Sequence, residues 1–160
     1  MAIIDLKYAT IRLVGANTVP AVLTIDVGDG NLEYTEKRAI EIVKRRGILE
    51  TAREGDEQEM DVNFQFVWEL LTAADNADPP TIEDVLKHRG QAAGWQSTNP
   101  DPDAPFCVDL RITYTPPCPA AAEQAETITL QRFHYEELAH SLKDGTVDCK
   151  GKCLATQAVD

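Results

Sequence analysis

Asp61-Val-Asn-Phe-Gln-Phe-Val-Trp-Glu-Leu70 puts Val62, Phe64, Phe66, Trp68 and Leu70 on alternate positions, with Asp61, Asn63, Gln65 and Glu69 between them. Side chains on a strand point alternately to opposite faces, so this stretch reads as a β-strand with one apolar and one wet face. Val67 alone interrupts the wet row, whose other members are amide or acidic and never basic.

The same design recurs outward from this strand. Ile11-Arg-Leu13 and Leu23-Thr-Ile25-Asp-Val27 alternate in the same way and are joined by a Gly/Asn/Pro stretch from Gly15 to Pro20, which reads as a first strand pair. Downstream, Val108, Leu110, Ile112 and Tyr114 alternate with Asp109, Arg111, Thr113 and Thr115 until Pro116-Pro117 stop the run. A short strand is expected over Thr127 to Gln131. A last one follows the Asp144-Gly145 turn, with Val147, Cys149, Gly151, Cys153 and Ala155 on one face.

Only one segment reads as helix. Pro79-Pro80 precede Thr81, a side chain able to cap the first turn. Glu83 and Asp84 lie at the positive end of the helix dipole, and Lys87, His88 and Arg89 at its negative end before Gly90. Ile82, Val85 and Leu86 form its apolar stripe. Two stretches fit either type. Residues 36–46 suit a helix through Ile40, Val43 and Gly47 or a strand through Ile40 and Ile42, and their context favours an extended arm or long hairpin. Residues 135–142 stay open between helix and strand.

The expected fold is therefore mainly β: two packed antiparallel sheets, as a sandwich or partly closed barrel, with one short flanking α-helix at about 81–89. Its 160 residues, 43% hydrophobic, suffice for one domain with a real core. That domain spans 1–160, with an arm or loop at about 28–60 and a Gly/Pro/Asp-rich surface loop at about 91–106. No apolar run approaches the roughly 18 residues of a membrane span. The first residues lack the basic-then-apolar layout of a signal peptide. A soluble chain that starts in a cytoplasm, without a membrane partner, is expected.

Charge is unevenly spread. Residues 1–53 carry 8 Lys and Arg against 7 Asp and Glu, residues 54–110 carry 2 against 13, and residues 111–160 carry 5 against 7. The middle third thus holds nearly all of the net charge of -12. Such a chain repels phosphate backbones and is a poor candidate for gripping nucleic acid by counterion release. The excess either serves solubility or makes a surface that touches nucleic acid without holding it.

Catalytic and metal-binding patterns are missing. Cys149 and Cys153 on one strand face lie roughly 13 Å apart, too far for a disulfide or a shared metal ion, and read as small core side chains. A zinc site drawing on Cys107, Cys118 and one of that pair lacks the close C-x-x-C anchor. His88, His134 and His140 share no ligand spacing, and neither Ser97 nor Ser141 sits in a nucleophile elbow. The glycine turns match neither a phosphate loop nor a dinucleotide fingerprint. No catalytic residue, cofactor or metal is expected.

Val27-Gly-Asp-Gly-Asn-Leu-Glu-Tyr-Thr-Glu-Lys-Arg38, Arg46-Gly-Ile-Leu-Glu-Thr-Ala-Arg-Glu-Gly-Asp56, the strand from Asp61, His140-Ser-Leu-Lys-Asp-Gly-Thr146 and Gly151-Lys-Cys153 together resemble a major tail tube protein of tailed bacteriophages. The similarity covers most of the chain. It implies a β-sandwich or barrel that assembles into hexameric rings, stacked helically into a hollow, negatively lined tube through which genome DNA passes. It also implies assembly in a host cytoplasm, residence in the virion tail, and partners among tape-measure, baseplate or tail-tip, tail terminator and sheath proteins.

On that reading Asp61, Asn63, Gln65 and Glu69, or Asp109 on the other long strand, face the lumen, and Val67 marks a subunit contact or a small apolar spot in the channel. An acidic wall lets a phosphate backbone slide instead of sticking. Lys37, Arg38, Lys44, Arg45, Arg46 and Arg53 then form a basic arm, followed by the acidic Glu54, Asp56, Glu57 and Glu59. Opposite charge on one subunit suits head-to-tail contact between copies. The alternatives are a tube protein of a related bacterial injection machine and a β-sandwich binding module that does not assemble.

Overall fold

A computed structural model describes residues 8–17, 22–25, 32–68, 81–116 and 125–159. Nine strands run through them: β1 (Ala9–Val14), β2 (Val22–Ile25), β3 (Leu32–Thr35), β4 (Ile40–Arg45), β5 (Ile48–Glu54), β6 (Met60–Val67), β7 (Val108–Tyr114), β8 (Glu126–Ser141) and β9 (Thr146–Cys153). One helix, α1 (Ile82–Lys87), precedes a 3-10 turn at Gly90–Gly94. The chain is mainly β, with two antiparallel sheets and one short helix, as the alternation requires. The larger sheet has the order β2-β1-β7-β8-β9-β6-β3, and β4 and β5 form a separate pair. Among the described residues no barrel closes, because β2 and β3 end the larger sheet.

Strand β8 organises the sandwich-like body. Its first half, to Phe133, pairs with β7, and its second half, from Phe133, pairs with β9. The expected short strand at 127–131 and the ambiguous 135–142, apart from Leu142 in the following turn, are thus parts of one 16-residue strand. Strands that pass between layers do so at bulges or bends, and β8 has both. Register shifts fall at Val108/Leu110 and Tyr135/Glu137, and Arg132 between them adopts φ 55°. Asp109 Oδ1 accepts the Arg132 N–H at 3.0 Å where the ladder is interrupted.

The inner faces meet in one core. Leu13, Leu110 and Leu130 from one half join Phe64, Phe66 and Val147 from the other, with Ile82, Val85 and Leu86 of α1. The Phe64 and Phe133 rings pack 5.7 Å apart at 60°, a tilted arrangement that the ring quadrupoles favour. Burying each such side chain contributes about 1.5–3 kcal/mol. Strand β6 has the alternation read from the sequence: Met60, Val62, Phe64 and Phe66 are buried, and Asn63 is exposed. On β9, Val147, Cys149, Gly151 and Cys153 are buried together. Glu69, Leu70, Val27, the Gly28 to Asn31 turn and Cys118 lie outside the described residues.

Helix α1 begins as expected: Thr81 Oγ1 accepts the Asp84 N–H at 3.2 Å. It ends at His88, which takes a left-handed φ of 54°. The His88 ring stacks on Phe106 at 4.0 Å, and its Nε2 lies 2.9 Å from the Trp95 carbonyl. That pins the 91–106 loop to the end of the helix.

Candidate functional site

The arm is a two-stranded ribbon. In β4–β5, Arg46 (φ 53°) and Gly47 (φ 78°) both occupy the left-handed region, as a two-residue I′ hairpin turn demands. Helix is thereby excluded for 40–45, and the long hairpin expected there is present. Ala39 and Gly55 close its root, with Gly55 N–H donating to the Ala39 carbonyl at 2.8 Å. Beyond the root the ribbon leaves the body: all of β5 is exposed, and so is β4 apart from Val43.

The ribbon's own contacts are polar and weak. Arg53 Nε donates to Glu41 Oε2 at 2.8 Å across the strands, Arg38 pairs with Glu54, and Arg45 stands 3.8 Å from Glu50. Exposed pairs of this kind contribute about 0.2–1 kcal/mol each. Meanwhile Ile40, Ile42, Ile48 and Leu49 are exposed, Ile48 to 71% and Leu49 to 68%. A lone two-stranded hairpin is marginal in water, and this one lacks a covered face. The basic residues were legible in the sequence. These aliphatic side chains were not, since apolar positions in a strand normally point to a core.

The wet face of β6 lies on the outside of the larger sheet. Asp61, Asn63 and Gln65 stand in one row there, but the register sets Asp61 opposite Lys152 and Asn63 opposite Lys150. Lys37 reaches Asp61 from the arm root and, by its hydrogen bond, holds the Asp61 carboxyl below the usual range. Lys152 Nζ sits 3.2 Å from Glu59 and 3.8 Å from Glu136. Glu59 accordingly titrates lower than usual, through its own backbone N–H and then Lys152. The row is acidic in sequence and charge-compensated in space. Gln65 Nε2 donates to Thr146 Oγ1 at 3.2 Å. Val67 is half-buried and lines a small cleft with Trp68 and the start of α1.

Asp109 stands apart from this row, three strands away in the sheet order, with its carboxylate engaged by the β8 backbone. Arm and wet row, by contrast, are joined: Lys37 and Asp61 link them directly. Lys44 and Arg46 at the tip, and Asp56 and Glu57 beyond the root, have no ion-pair partner among the described residues.

The cysteines Cys107, Cys149 and Cys153 are buried free thiols. Burial pushes both Cys149 and Cys153 up to about 12. Among the described residues, no group of three His, Cys, Asp or Glu side chains is arranged to hold a metal ion, and no helix is long and apolar enough to cross a membrane. No protein-family profile matches the chain, and no curated protein matches it in sequence.

Proposed function

We propose that this chain is a structural subunit that assembles with copies of itself, in the manner of a phage tail tube protein, with the β4–β5 ribbon as a joint between copies. The observation that carries the reading is that ribbon: four exposed Ile and Leu side chains on a hairpin that touches no core of its own. Covering them is worth about 25 cal/mol per Å² of apolar surface removed from water, and a second copy is the partner present at equal concentration by construction. Its basic tip and the acidic residues past its root suit head-to-tail contact, which closes into rings or propagates into stacks.

The same reading makes hexameric rings, stacked helically into a tube that conducts DNA, the assembled form. The outward row of Asp61, Asn63 and Gln65 supports a wet wall. With Lys150 and Lys152 alongside, that wall is polar and near-neutral on β6 and β9, and not uniformly acidic. Such a surface still lacks the cationic excess that would hold a phosphate backbone.

Light scattering coupled to size exclusion, followed by negative-stain imaging of the purified chain, tests the proposal. Rings or tubes are the expected outcome, and a monomer at every concentration would sink it. Replacing Arg45 and Arg46 with Glu is expected to reduce assembly, while undiminished tube formation would remove the ribbon from the joint.

A further inference from the structure

We infer that the tip of the ribbon seats in a groove of a second copy, between the 57–59 loop and the C-terminal segment 154–159. This rests on the assembling reading above and names the surface that receives the arm.

The groove has a volume of about 770 Å³, within the roughly 300–1,000 Å³ of ordinary binding sites. Leu154, Ala155, Ala158 and Val159 supply its apolar lining and Glu57 part of its rim. Leu154 is 56% exposed and Val159 44%. Its walls are fastened: Leu154 N–H donates to the Arg132 carbonyl, Val159 bridges Thr129 in both directions, and Ala158 N–H donates to Glu36 at 3.1 Å. A fixed apolar slot offers cover to the exposed Leu49 of the tip, whose neighbour Ile48 points to the opposite face of the ribbon.

Charge matches in the same sense. Lys44 and Arg46 flank the tip without ion-pair partners among the described residues, and Asp56 and Glu57 border the groove region in the same condition. One subunit cannot satisfy both sets by itself. The groove shares Glu57, Gln58, Thr156 and Gln157 with the cleft at the arm root, while β4 holds the tip about 20 Å away at about 3.3 Å per residue. The exposure of Ile48 and Leu49 shows that the tip does not fold back. The complement of each patch therefore stands on another copy, and each seated tip abuts the root of the next arm. Repetition of that contact is heterologous and runs on from copy to copy.

Two full-length variants give the test. The tip variant carries Lys44→Glu and Arg46→Glu, and the base variant carries Asp56→Lys and Glu57→Lys. Neither is expected to assemble alone, while an equimolar mixture regains assembly because each reversed patch meets its complement. In a second arm, Leu49→Cys and Leu154→Cys chains are mixed and oxidised with copper phenanthroline, and a mixed disulfide dimer is expected to predominate. Leu49→Asp is expected to weaken association by roughly ten- to a hundred-fold. Wild-type assemblies with neither rescue nor mixed disulfide would overturn the groove and leave the assembling subunit standing. A wild-type chain that stays monomeric would overturn both.

Discussion

His140 Nε2 lies 2.6 Å from Glu83 Oε1, joining the end of β8 to the first turn of α1. Lys87 Nζ reaches the same oxygen at 3.0 Å, and the Trp68 ring stands 5.0 Å from the imidazole. Glu83 is only 3% exposed, so the carboxylate is buried against the body and held there by two donors. The sequence reading placed it at the helix dipole and missed this contact.

Burial by itself would raise the Glu83 pKa, but hydrogen bonds from Lys87 and His140 outweigh it and leave the group below its ordinary 4.5. A carboxyl depressed on folding stabilises the fold above its unfolded pKa, and that contribution is lost as pH falls through the lower folded value. Urea denaturation of the wild type is expected to show stability falling on acidification below about 4.5. Glu83→Gln should flatten that fall and cost about 1.5–3 kcal/mol at neutral pH. An unchanged acid limb in the variant would contradict the assignment.

Gly151 lies where β9 crosses the bulged part of β8. A Cβ there would stand 2.1 Å from the His134 carbonyl oxygen and 2.8 Å from the Phe133 ring, and a backbone atom cannot swing aside as a side-chain tip can. Gly151→Ala should therefore destabilise by about 1–3 kcal/mol, as overpacking does, with a lowered thermal midpoint. Wild-type stability would show that the two strands can separate there.

Asp109 serves the bend in β8. Removing its carboxylate leaves the Arg132 N–H, 3.0 Å away, without its acceptor, so Asp109→Ala is expected to cost about 1–3 kcal/mol. Asp109→Asn retains an acceptor oxygen and should recover most of that. If Asn were as damaging as Ala, charge and not the hydrogen bond would be the cause.

The ribbon contributes nothing to the core, so replacing residues 40–54 with a short Gly/Ser turn between Ala39 and Gly55 should leave the thermal midpoint of the body unchanged. The same excision should abolish assembly as seen by light scattering. A large drop in the midpoint would mean that the ribbon folds onto the body.

Cys149 and Cys153, with thiols pushed to about 12 by burial, should resist alkylation at pH 8 in the native state. Mass mapping along a urea titration is expected to show them labelled only as the whole body unfolds. Rapid native labelling of either would place it nearer solvent.

Alternation made most of the body legible from sequence. A strand's two faces are a local property of the chain, so Met60 to Val67, Val108 to Tyr114 and Thr146 to Cys153 declare themselves without reference to partners. The cap at Thr81 is equally local. Residues 36–46 suited a helix or a strand, Gly47 counting for the helix, and only the left-handed Arg46 and Gly47 of the structure identify the turn of the hairpin. What escaped was every feature made by residues far apart in sequence. The continuity of β8 depends on Asp109, 23 residues upstream of Arg132, and the burial of Glu83 depends on His140, 57 residues downstream.

The wet face shows the division most clearly. Composition and alternation determined that Asp61, Asn63 and Gln65 share one polar face, because period-two geometry needs only consecutive residues. Whether that face is acidic was decided by the antiparallel register of β6 and β9, which brings Lys150 and Lys152 across from strands more than eighty residues apart. Electrostatic character belongs to neighbours in space, and no count along the chain contains them. The ribbon follows the same logic in reverse. Its isoleucines and leucine read in sequence as ordinary strand or helix positions, and only the tertiary structure revealed that they stand exposed among the described residues, because cover is supplied by neighbours in space.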